Sequence, residues 1–230
     1  MSSSTTAEQN AFPRRPLALL LWAGLAGLQI VSAFSLADTD RVEEEPPIFE
    51  WSTAVSGFLL YAVLIGLTFA IASAYPSARQ ALGLRRFERR FLWQAGGVVL
   101  VSIVVAAALE PILHAGEKQG LAPQEWRPDA LAPFLANAVL IITWGPFAEE
   151  LFYRGLGVTA LRLFGPVVAV VGTAVAFGLA HGILVALPPL IVFGLGLAWV
   201  RLRSDSVWPG FIAHAAYNAV GIALAVATSV

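Results

Sequence analysis

Long uncharged stretches constrain this chain more than any other feature. Residues 16–37, 51–78, 91–109 and 131–148 carry no charge; from Leu163 to Val200 the only acidic or basic side chain among Asp, Glu, Lys, Arg and His is His181, and from Val207 to Val230 it is His214. About 20 apolar residues of helix cross the hydrocarbon core of a bilayer, and several of these runs reach that length. Pro188 and Pro189 divide the run that contains His181, because each lacks an amide hydrogen and disfavours helix in the residue before it. One span is therefore expected to end at Ala186 and Leu187 and the next to start near Leu190. Seven main spans result, and the expected fold is all-α: a polytopic transmembrane bundle of about seven or eight helices. A composition of 58 % hydrophobic and 13 % charged residues and a mean hydropathy of +0.75 agree with an integral membrane protein.

The loops orient the bundle, since arginine and lysine are retained on the cytoplasmic side. Arg14 and Arg15 precede the first span. The next loop sets Asp38, Asp40, Glu43, Glu44 and Glu45 against Arg41, and the one after it carries Arg79, Arg85, Arg86, Arg89 and Arg90. Residues 114–130 are mixed and slightly acidic, while Arg162, Arg201 and Arg203 fall on the side of the arginine-rich loop. The N-terminus is thus expected to be cytoplasmic. The first twelve residues lack a positive charge and the run from Pro16 is long enough to span, so a retained span is expected rather than a cleaved signal peptide. The chain divides into a tail over 1–15, helices over 16–113 and a core over 131–228. The compact chain suits a bacterial cytoplasmic (inner) membrane. "LGLRRFERRFLW" (82–93) suits either an interfacial helix or a solvated basic loop, and the positive-inside rule alone accounts for its arginines. With no cysteine there are no disulfides and no thiolate nucleophiles or metal ligands. The net charge of −1 points to no nucleic-acid partner; the lipid bilayer is the one partner composition implies, and it leaves oligomeric state open.

Against this background "WGPFAEELFYRG" (144–155) is anomalous, because it places Glu149, Glu150 and Arg154 at the end of an apolar run. Glu150 and Arg154 are four apart, share a helical face and can pair, with the acid on the favoured N-terminal side. That leaves Glu149 free of the arginine. A charge near the bilayer centre costs roughly 2.5–3.5 kcal/mol on insertion scales, so acids at depth usually serve a function or face water; the bland alternative is that both merely anchor a helix end at the surface. If the helix resumes after Pro146 and runs to Phe164, Glu149 lies about 20 Å from its Arg162 end, and His181 lies about 22 Å along the following span from the same side. The two then share a depth. Such a helix over 131–164 would be about 50 Å long unless kinked at Gly145-Pro146 or projecting from the membrane.

Two further patterns lie in the last spans. "FGLAH" (177–181) puts Phe177 one turn before His181, where its ring can pack against or orient the imidazole, although a lone membrane histidine is also a common packing residue. "HAAYN" (214–218) puts His214 and Asn218 on one face, with alanines between them that allow close approach. His114, four after Glu110 and beyond Pro111, reads as an interfacial residue. Convergence of Glu149, His181, His214 and Asn218 in an apolar bundle suits peptide hydrolysis, which needs a base for water and donors for a tetrahedral oxyanion. Glu149 with His181 can hold and deprotonate water, and His214 with Asn218 can donate to the oxyanion. The same groups suit a divalent metal such as zinc, with Glu149, His181 and His214 as ligands. Sequence leaves both open, so the cofactor is none or one divalent metal.

In order and complete, "EELFYR", "FGLAH" and "HAAYN" resemble the EExxxR, FxxxH and HxxxN pattern of the CPBP group, intramembrane proteases related to the CAAX prenyl endopeptidase and to bacteriocin-processing or immunity proteins. The similarity covers about residues 130–225. It implies an intramembrane endopeptidase in which Glu149 and His181 activate water, Glu150 and Arg154 form a supporting pair, and His214 and Asn218 stabilise the oxyanion or help hold a metal. The substrates it implies are membrane-tethered peptides or proteins. There is no H-E-x-x-H zinc motif, no serine two residues after a glycine and no aspartate within a span, which removes other intramembrane protease classes. Two rival readings remain: a non-catalytic scaffold or immunity protein that keeps the cluster as an interhelical network, and an ion-coupled transporter, for which the expected repeated halves are missing.

Overall fold

The computed structural model describes residues 14–37, 47–115 and 126–228, and every regular element among them is helical. The principal helices are α1 (Arg14–Ala37), α2 (Trp51–Ala72), α3 (Arg90–Leu113), α4 (Pro128–Phe164), α5 (Pro166–Leu179), α6 (Leu187–Ser204) and α7 (Trp208–Thr228). A single turn, Ala78–Ala81, follows α2. The tail before Arg14 and the acidic loop from Asp38 to Glu45, on which the expected orientation rests, lie outside the described residues.

Six of these helices, all but α5, are long and apolar enough to cross a membrane. The expected seventh span is corrected. α5 has 14 residues, about 21 Å of helix, against a hydrocarbon core of about 30 Å. The break expected at Ala186 and Leu187 comes earlier, where the His181 N–H turns to the Gly178 carbonyl (3.2 Å) and Gly182 takes φ +70°. Pro188 and Pro189 do not end a helix; they sit in the first turn of α6, where an absent N–H removes no helical bond.

Polarity is arranged inside-out relative to a water-soluble bundle. Leu20, Leu60, Leu100 and Val139 face outward, as expected where the surrounding solvent is acyl chain, while Glu150, Arg154 and Arg201 are buried. The centre is the second half of α4, in which all eight residues from Glu150 to Gly157 are buried. Around it pack Trp22 of α1, Leu64 of α2, Phe177 of α5, and Phe193 and Leu197 of α6. The Trp22 indole N–H donates to the Phe152 carbonyl (3.1 Å), so its one polar atom is satisfied at the core.

α4 runs unbroken for 37 residues, about 55 Å. It accommodates Pro146 without a break, through a π-helical turn over Leu140–Trp144 in which the Gly145 N–H reaches back five residues to Leu140. A second π-helical stretch covers Glu150–Gly157. The basic stretch 82–93 forms no interfacial helix before Arg90; its backbone is engaged elsewhere, with the Gly83 carbonyl accepting from Val207 N–H (3.0 Å) and the Arg85 carbonyl from Ser206 Oγ (2.8 Å). α3 continues through Pro111 to Leu113, and His114 caps it in the left-handed region at φ 48°.

Candidate active site

Adjacent on α4, Glu149 and Glu150 have different partners. Glu150 is fully buried; its Oε1 lies 3.0 Å from Arg154 Nη1, the pairing expected from the i, i+4 spacing, and accepts from His214 Nδ1 at 3.2 Å. Charge proximity, not aligned hydrogen bonding, holds the arginine: none of its guanidinium nitrogens makes a well-directed hydrogen bond, and its charge lies 4.1 Å from the Phe177 ring centroid. Glu150 Oε2 faces Gly210 of α7, where a Cβ would sit only 2.7 Å away, so the absence of a side chain there lets the two helices close around the carboxylate.

Glu149 is 16 % exposed, free of Arg154 but not without contacts. Tyr61 of α2 donates its hydroxyl to Oε1 (3.2 Å), and His214 Nε2 stands 3.7 Å from Oε2. His214 therefore bridges the two glutamates. Because Glu150 is a carboxylate held by an arginine, Nδ1 is the donor in that contact, which directs Nε2 to Glu149. Phe177 and Phe193 meet the imidazole edge-on at 5.6 and 5.2 Å, enclosing it in aromatic walls.

His181 lies at the end of α5, and its own ring satisfies the helix terminus: Nδ1 donates to the Phe177 carbonyl at 2.8 Å. That bond fixes the tautomer and leaves Nε2 as an acceptor on an exposed side chain. Phe177 is the expected neighbour, with ring centroids 4.7 Å apart, and the same ring touches Arg154 and His214. No hydrogen bond or ion pair joins His181 to Glu149 among the described residues. Gly182 then reverses the chain with positive φ, and a Cβ there would lie 2.8 Å from the Ala33 carbonyl. Gly182→Ala is expected to destabilise the fold by about 1–3 kcal/mol and to displace His181; thermal unfolding in detergent measures the first effect, and an unchanged midpoint would contradict the strain argument.

Asn218 owes its position to Pro146. In the π turn, the register partner of the Ile141 carbonyl is Pro146, which has no N–H, and Asn218 Nδ2 supplies the missing donor at 2.8 Å. One of its two amide hydrogens remains available. Of the predicted residues, the structure thus joins Glu149, Glu150, Arg154 and His214 directly, connects Phe177 and His181 to them through ring contacts, and sets Asn218 one turn along α7 from His214. Tyr61 was missed: it lies in an uninterrupted apolar span with no motif around it, and only the packing of α2 on α4 reveals it. Among the described residues no three His, Asp or Glu side chains gather as ligands for one metal ion.

Six apolar helices and an internal carboxylate–imidazole cluster define a polytopic integral membrane protein with ionisable chemistry inside its bundle. Residues 131–220 match the family model of the type II CAAX prenyl endopeptidase Rce1-like proteins. That segment is similar to the CAAX proteases; α1 to α3 lie outside the matched residues. No curated protein sequence and no solved structure matches the chain.

Proposed function

We propose that this protein is an intramembrane endopeptidase that hydrolyses peptide bonds of membrane-tethered peptides or proteins, with Glu149 as the base. The observation that carries this reading is the division between adjacent acids: Arg154 and His214 occupy Glu150, while the partly open Glu149 has, among the described residues, a phenol and an imidazole beside it and no cation paired to it alone. A carboxylate has about four lone-pair sites, so these contacts leave room for water.

Water donates one hydrogen to Glu149 and the other to His181 Nε2, the ring atom left as an acceptor by the bond to Phe177. Glu149 takes a proton as the oxygen attacks the scissile carbonyl carbon. His214 Nε2, when protonated, and the second N–H of Asn218 are the donors for the resulting oxyanion. Collapse breaks the C–N bond, and the departing amine takes the proton that Glu149 received. No step is assigned to a metal.

The test is cleavage of a membrane-tethered fluorogenic peptide library by the purified chain, beside His181→Ala and with and without a strong chelator. Wild type is expected to cut in chelator, and His181→Ala to lose about 10²-fold or more in rate. Chelator-sensitive cleavage restored by zinc would replace the carboxylate mechanism with a metal one, and a His181→Ala protein as active as wild type would remove His181 from it.

A further inference from the structure

The arginine-rich loop and the start of α7 enclose an open cavity of about 360 Å³ that the proposed hydrolysis does not use. Arg79, Arg85, Arg86, Phe87 and Trp208 line it. The loop joins α2 to α3 and Trp208 is the first residue of α7, so the cavity lies where spans meet the membrane interface, the level at which tryptophan and arginine favour headgroups.

We propose that this cavity binds the phosphate of an anionic lipid headgroup. Retention of arginine on one side of the membrane explains why the loop is basic, but not how its charges are arranged. Arg85 is fixed by Asp205 (2.6 Å), a carboxylate also shared with Arg201 (3.0 Å) and Arg162 (3.9 Å), so one negative charge is divided among three guanidinium groups. Arg79 and Arg86 have no carboxylate partner among the described residues, and both turn to the same cavity. The result is a positive hollow with one wall tied to Asp205 and two arginines available, a suitable geometry for multidentate capture of a phosphate. Aromatic walls suit the glycerol and upper acyl region of a lipid better than they suit a free anion. Trp208 also stacks on Phe147 (5.8 Å between centroids, 22° between planes), two residues before Glu149. An occupied cavity would therefore brace the turn of α4 that carries the candidate base.

The site is tested by binding, so its failure is separate from failure of the protease reading. The full chain in neutral detergent is titrated with phosphatidylglycerol and, separately, phosphatidylcholine, and bound lipid is counted by native mass spectrometry. Wild type is expected to prefer phosphatidylglycerol, and Arg79→Gln/Arg86→Gln to bind it about tenfold or more weakly. Arg89→Gln/Arg90→Gln, which removes equal formal charge where the loop enters α3, outside the cavity, is expected to bind within about twofold of wild type. Equal losses in the two variants would assign the effect to diffuse surface potential and overturn the site. Displacement of the lipid by inorganic phosphate would assign it to a free anion instead, and unchanged binding by the Arg79/Arg86 variant would remove it altogether.

Discussion

Glu149→Gln is expected to lower peptide cleavage by about 10²–10⁴-fold, the contribution usual for a positioned general base, while leaving the protein folded. The substitution is nearly isosteric. Its amide oxygen still accepts from Tyr61, and the residue is only partly buried, so little packing changes. What disappears is the ability to take a proton from water. Turnover should fall with little change in KM, because the loss concerns a proton transfer and not substrate contact. Rates are compared on one cleavable member of the library, with unfolding midpoints showing that the variant is intact. Activity within about tenfold of wild type would show that Glu149 is not the base. In that outcome the family resemblance of residues 131–220 would still hold, but the water-activating group would have to be sought elsewhere.

The parts of this architecture that depend on local chemistry were legible in sequence. Uncharged runs located the membrane helices, and i, i+4 spacing anticipated both the Glu150–Arg154 pair and the placement of Phe177 beside His181. Two kinds of information were not legible. Lengths failed where a side chain competes with the helix: His181 caps its own helix through the Phe177 carbonyl and Gly182 turns the chain, so α5 ends short of a full span although its sequence stays apolar beyond it. Partners from distant helices also escaped, since nothing around Tyr61 distinguishes it from its lipid-facing neighbours. Asn218 shows the two limits together. Its motif identified it, but the bond it makes depends on the π turn before Pro146, which leaves the Ile141 carbonyl without a backbone donor. That shortfall arises from the register of the α4 backbone, and residue spacing does not encode whether a helix takes up a proline by a kink or by a π turn.

Arg154→Met is expected to destabilise the bundle by about 3–5 kcal/mol, the range for breaking a buried ion pair by removing one partner. Methionine fills much of the volume and keeps an apolar contact with Phe177, so the loss is chiefly electrostatic: Glu150 remains at the centre of the bundle with only His214 Nδ1 to stabilise its charge. Adding Glu150→Gln separates this cause from simple packing. The amide is neutral, removes the unpaired charge, and still presents an oxygen to His214 Nδ1. The double variant should therefore recover most of the stability that Arg154→Met loses, as replacement of whole buried pairs by neutral groups often does. Reversible unfolding in mixed micelles measures both proteins. If the double variant is as unstable as Arg154→Met alone, Arg154 acts through its packing on Phe177 and not through the carboxylate. Recovery would also explain why α4 carries two adjacent acids: one is neutralised by the arginine and positions the imidazole, and its neighbour is left able to accept a proton.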